Sequence, residues 1–197
     1  MAKRILLAAV LGSIAMFLWS SLAHLVLPLA RTGISEIPNE PPVLSALQTS
    51  LGGTPGLYLF PGTGLGPDAT RQQQNAAMQQ YEQKLASNPS GLIIYHPPGV
   101  KALTPGQLVT EFLTEFVESL LAVFLLAQTR LASFASRVGF VVVAGVMAAI
   151  TTNIPYWNWY GFPASYTIAY MTIEIAGYVV VGIVAATVMK NSASAPA

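Results

Sequence analysis

Long apolar runs broken by isolated polar residues occupy both ends of the chain, and a stretch rich in Pro, Gly, Gln and Ser lies between them. Ile5 to Leu29 is apolar apart from Ser13, Ser20, Ser21, His24 and Pro28, and exceeds the roughly 20 residues that cross a bilayer. The pattern predicts transmembrane helix 1 over 1–30. A cleaved signal peptide is the competing reading, because Ser21-Leu22-Ala23 follows a basic start, but the apolar run continues past that site. Thr104 to Gln128 predicts transmembrane helix 2, opened by Thr104 as N-cap, Pro105 at the first position and Gln107 at the third, a capping-box arrangement. Residues 138–155 predict helix 3, stopped by Pro155, and 164–189 predict helix 4. A cytoplasmic turn over 129–137, an aromatic extracytoplasmic turn over 156–163 and a cytoplasmic tail over 190–197 complete this half.

The intervening residues 31–103 hold no apolar stretch long enough to span. They predict a small extracytoplasmic insert of short helix, strand, helix and strand. Gly56 to Phe60 and Gly91 to His96 repeat a Gly-Leu-aliphatic-aromatic pattern and read as neighbouring strands. Between them, Ala77, Met78, Tyr81 and Leu85 form the apolar stripe of an amphipathic helix. Gly62, Gly64 and Gly66 make a glycine-rich loop after a strand, but neither the Walker lysine nor dinucleotide spacing is present, so a turn is expected rather than a phosphate cradle.

Composition sharpens the membrane assignment. The chain of 197 residues is 53% hydrophobic and 9% charged, against about 25% charged in soluble domains. The formal net charge of +1 offers no basic field for nucleic acid. Cysteine is absent, which excludes disulfides, thiolate catalysis, iron–sulfur clusters and thiolate zinc sites.

The residues that carry chemistry are the polar ones inside the spans. Glu111, Glu115 and Glu118 share one face of helix 2 at helical spacing. At about 1.5 Å per residue they lie about 10, 16 and 21 Å below the outer helix end, and Glu174 on helix 4 lies about 16 Å below its own. Tyr170 shares the Glu174 face, His24 lies about 9 Å down helix 1, and Asn153 sits at the outer end of helix 3. Ionisable groups at membrane depth face a bundle interior or a wet cavity, so His24, Glu111, Glu115, Glu118, Glu174, Tyr170 and Asn153 form the candidate polar or ion site. Pairing with Glu111 or Glu115 is the most economical role for His24. No Glu-x-x-His repeat marks a di-iron bundle, and one histidine inside the spans is too few for a b-type haem, so no cofactor is assigned. No nucleophile elbow points to a hydrolase. Tyr156, Trp157, Trp159 and Tyr160 form an interfacial aromatic belt.

These patterns predict an all-α integral membrane protein: an antiparallel bundle of four transmembrane helices with a small α/β extracytoplasmic insert between helices 1 and 2. The absence of a catalytic motif favours a non-enzymatic accessory or assembly subunit of a larger membrane complex or a homo-oligomer. The alternative is a small transporter, proton-linked channel or membrane enzyme using the Glu/His cluster. Lys3, Arg4, Arg130, Arg137 and Lys190 fall on one side of a four-crossing topology, which puts both termini in the cytoplasm and the protein in the cytoplasmic membrane. A reporter fused after Lys190 is therefore expected to behave as cytoplasmic, and one placed in Gln72 to Gln80 as external; Lys190 found outside would end the four-crossing topology.

Overall fold

The structure is a computed structural model that describes residues 1–189; the tail over 190–197, with Lys190, lies outside the described residues. Two compact units divide the chain. The first comprises Met1–Ser35 with the chain from Leu103 onward, and the second is Glu36–Ala102.

The first unit holds four long helices, α1 (Ala2–Leu25), α4 (Pro105–Ala127), α5 (Phe134–Tyr160) and α6 (Ala164–Val188). The chain leaves α1 through a 3-10 turn over Pro28–Arg31. Helix α1 packs against both α4 and α6, and α5 packs mainly against α6. Gly12 approaches Val181, Trp19 approaches Ile173 and His24 meets Tyr170, so α1 and α6 run antiparallel. Phe17 touches Phe112 while Gly12 lies beside Ser119, so α1 and α4 are antiparallel as well.

Three of these helices, α1, α5 and α6, are long and apolar enough to cross a membrane, with mean hydropathy of 2.1, 1.9 and 1.9 in their most apolar windows. Helix α4 has 23 residues but interrupts its Leu, Val and Phe with three glutamates. The outward faces are apolar: Leu18, Leu121, Val143, Met147 and Ile168 are all exposed. Several polar side chains point inward instead, among them Ser13, Glu115, Ser119 and Asn153. That inversion suits a hydrocarbon solvent and points to a membrane protein.

Small residues set the helix spacing. Ala8, Ala9, Gly12 and Ser13 are buried on α1, Gly145 and Ala149 on α5, and Gly182 and Ala186 on α6. A Cβ added to Gly145 would overlap the Cβ of Tyr178, and one added to Gly182 would stand 3.2 Å from the Val138 carbonyl oxygen. Backbones approach this closely only where one of them has no side chain.

Three boundaries in this unit differ from the sequence reading. Helix α5 continues through Pro155 to Tyr160, so the aromatic residues Tyr156, Trp157, Trp159 and Tyr160 form its last turns and the connection to α6 shrinks to residues 161–163. Proline removes one ladder hydrogen bond and crowds the carbonyl four residues back, a cost that a helix near its end tolerates. The stop is Gly161, in the left-handed conformation at φ 71°, whose N–H donates to the Tyr156 carbonyl. At the other end, α5 opens at Phe134, with the Ser133 hydroxyl accepting from the Ser136 N–H, so Arg137 belongs to the helix rather than to the preceding turn. Its side chain is 6% exposed and Nε donates to the Leu131 carbonyl at 2.9 Å, clamping the α4–α5 connection. In addition α1 ends at Leu25, because Leu27 is extended ahead of Pro28.

The second unit carries α2 (Glu40–Leu51), β1 (Gly56–Phe60), α3 (Arg71–Ser87) and β2 (Gly91–Tyr95). The strands pair antiparallel, with Leu57 opposite Ile94 and Leu59 opposite Leu92. Thr70 and Gln73 cap α3 reciprocally, and the Tyr95 hydroxyl donates to the Gly52 carbonyl at 2.8 Å. Ala77 and Tyr95 are its buried apolar residues, a very small core. Leu57, Leu59 and Ile94 remain exposed on the sheet.

Two alanine substitutions in α5 separate packing from propensity. Gly145→Ala drives a methyl group into Tyr178 and is expected to cost about 1–3 kcal/mol. Gly139→Ala meets no atom within 4 Å and is expected to be neutral or to gain up to about 1 kcal/mol. Denaturant or thermal unfolding of both purified variants against the parent measures the difference.

Candidate functional site

Helix α4 brings its carboxylates to the interior through local rules. The Thr104 hydroxyl accepts from the Gln107 N–H while the Gln107 side chain accepts from the Thr104 N–H, so the first turn is fixed at both bonds. From there Glu111, Glu115 and Glu118 follow at four- and three-residue steps, rising about 6 Å and then about 4.5 Å along one face.

This face borders a cavity of about 410 Å³ among α1, α4, α5 and α6. Glu111, Glu115, Glu118 and Glu174 line it together with His24 and Tyr170. Asn153 stands behind: its Nδ2 donates to Glu174 Oε2 at 3.0 Å and to the Ala149 carbonyl at 3.0 Å. Six of the seven candidate residues therefore meet at one cavity, and the seventh holds one of them.

The four carboxylates differ in burial. Glu115 is 4% exposed, Glu118 and Glu174 are half-buried, and Glu111 is exposed at the rim. Ser20 of α1 comes within side-chain hydrogen-bonding reach of the Glu115 carboxylate. Yet Glu115 Oε2 has no hydrogen-bond partner, and neither has Ser119 Oγ one turn further along the same helix. A buried carboxylate oxygen without a partner is costly, and this one belongs to a side chain that borders an open space.

His24 departs from the role the sequence suggests. Its Nδ1 lies 2.9 Å from the Ser20 carbonyl, and since a carbonyl only accepts, Nδ1 carries the proton. Its ring meets Tyr170 edge-on at 6.0 Å between centroids. Intrahelical bonding and the aromatic contact thus hold it, in place of an ion pair with Glu111 or Glu115. Tyr170 in turn stacks on Tyr166 at 4.2 Å.

The sequence did not single out Met16, Trp19, Ile173 or Gly177 as wall residues. Trp19 Nε1 donates to the Ile173 carbonyl at 2.8 Å, which fixes the indole across the α1–α6 seam. Gly177 opens the space it occupies, since an added Cβ would lie 3.1 Å from Met16 Cε and 3.6 Å from Trp19 Cδ1. Among the described residues no three His, Asp or Glu side chains converge closely enough to hold a metal ion.

The Asn153–Glu174 contact gives a measurable coupling. Asn153→Ala leaves Glu174 Oε2 without its donor and is expected to cost about 1–3 kcal/mol. The same substitution in a Glu174→Ala background should cost less, with a coupling of about 0.5–3 kcal/mol in a double-mutant cycle of unfolding measurements. Equal costs in both backgrounds would show that the bond contributes nothing. Comparison of the chain with family models, with curated proteins and with solved structures finds no match, so the chemistry of the cavity alone carries the functional reading.

Proposed function

We propose that this protein is a multi-pass membrane protein that binds a positively charged small solute in the carboxylate-lined cavity, as a small transporter or solute-binding membrane component does. In this reading α4 crosses the bilayer as a fourth span beside α1, α5 and α6, with Glu115 turned inward and its Leu, Val and Phe toward lipid. Glu36–Ala102 stands on the extracytoplasmic side, and both termini are cytoplasmic. The observation that carries the reading is the gathering of Glu111, Glu115, Glu118 and Glu174 from two helices around one cavity, with Glu115 only 4% exposed. Several carboxylates around a space of low dielectric repel one another strongly, and a cation among them relieves that repulsion.

One observation favours a second role for the rest of the chain, as a contact surface for a larger membrane complex or a further copy of itself. Leu57, Leu59 and Ile94 present an apolar sheet face, more than such a small unit leaves uncovered without cause. The accessory-subunit reading rests on that face, and the two roles are compatible.

The test compares the parent with Glu115→Gln and Glu174→Gln, which preserve side-chain shape. Potassium, magnesium and methylammonium chlorides are added to each protein in lipid nanodiscs and thermal unfolding is followed. The three chlorides are compared at equal ionic strength, so general screening is common to them and only a difference between cations counts as binding. At least one cation is expected to stabilise the parent by several degrees more than either variant, with all three proteins folded. Identical responses of the three proteins to every salt would overturn the reading.

A further inference from the structure

The carboxylate-lined cavity adjoins a second one of different character. Between α1 and α4 lies a space of about 260 Å³ whose walls include Phe17, Leu25, Leu103 and Leu108. Ser20, His24 and Glu111 border both spaces, so the two lie side by side at those three side chains. One end of this pair is acidic, with Glu111, Glu115, Glu118 and Glu174 in its walls. The other end is mostly apolar, with Gln107 and Ser21 as its remaining polar groups.

Aromatic rings stand at the acidic end. Trp19 and Tyr170 line it, each held by a separate contact, the indole by the Ile173 carbonyl and the phenol by stacking on Tyr166. Carboxylates together with ordered π-faces recognise an ammonium group better than a bare metal ion, because the rings attract a cation without demanding close oxygen coordination. A volume of about 410 Å³ is also far larger than a single inorganic ion fills. Among the described residues no metal-ligand cluster is present.

We infer that the solute is an amphiphilic amine: an ammonium head seated among Glu115, Glu118 and Glu174 against Trp19 and Tyr170, with its hydrocarbon chain in the Phe17–Leu108 space. The inference rests on the cation-binding reading above and deepens it by naming the chemical class. Ser20, His24 and Glu111 mark the neck between head and chain. Glu111, exposed at the rim, meets the amine first, and Glu115 completes its coordination.

The experiment uses the full chain in nanodiscs with Trp157→Phe and Trp159→Phe, which leaves Trp19 as the sole indole among three tryptophans. Trp19 fluorescence is titrated with octylammonium, methylammonium and spermidine. Saturable binding of octylammonium is expected, at least tenfold tighter than methylammonium and at least tenfold weaker in Glu115→Gln. Partitioning into the bilayer is common to parent and variant and drops out of that last ratio. Ser21→Leu, which narrows the apolar space without touching a carboxylate, is expected to weaken octylammonium severalfold and to leave methylammonium unchanged. Glu115-dependent binding of methylammonium or spermidine with no gain for the octyl chain would overturn the amphiphile and leave the cation site standing. If no amine or inorganic cation shows a Glu115-dependent response, both fall.

Discussion

A carboxylate removed from water must find a partner, and that cost governs how the first unit is arranged. Helix α4 carries more charge than the other three long helices, and its acidic face turns toward α1 and the cavity. Its remaining faces are apolar and exposed, as Leu113, Val117, Leu121 and Phe124 show. The tight contacts elsewhere follow from the same division. Where polar groups are few, as along the Gly145–Tyr178 and Gly182–Val138 seams, backbones close to van der Waals distance. Where α1, α4 and α6 bring carboxylates, indole and phenol together, side-chain bulk and charge hold the helices apart and a cavity remains.

Helix α1 supplies the hinge between these regimes. Its first half buries Ala8, Ala9, Gly12 and Ser13 against close neighbours, while its second half offers Met16, Trp19, Ser20 and His24 to the cavity. The change from small to large residues along one helix makes the packing tight at one end and open at the other. Trp19 marks the transition, anchored to a carbonyl of α6 while its ring borders the open space.

Much of this was legible in the sequence because it depends on spacing alone. Thr104 and Gln107 announce the start of α4, and the four- and three-residue steps of Glu111, Glu115 and Glu118 put them on one face whatever surrounds them. The paired Gly-Leu motifs of β1 and β2 likewise identify two strands that pair. What escaped depends on tertiary contact. Trp19, Met16 and Ile173 sit in apolar helices where nothing distinguishes a wall residue from a lipid-facing one. Arg137 reads as a turn charge until its guanidinium is seen on the Leu131 carbonyl. Pro155 reads as a stop, although the helix ends six residues later at the one position, Gly161, that can adopt positive φ without strain. For the histidine, depth suggests an ion pair, whereas the contact its Nδ1 makes is with the carbonyl of its own helix one turn back.

Every residue that borders the two cavities belongs to the first unit, although the second unit interrupts that unit's chain between Ser35 and Leu103. The cavity-bearing part is therefore assembled from discontinuous sequence, and its walls do not borrow a side chain from the intervening segment. Loop-closure entropy grows only slowly with length, so such an interruption adds little to the cost of bringing α1 and α4 together. A change of side chain in the interrupting segment therefore replaces none of the groups that line the chamber between the helices.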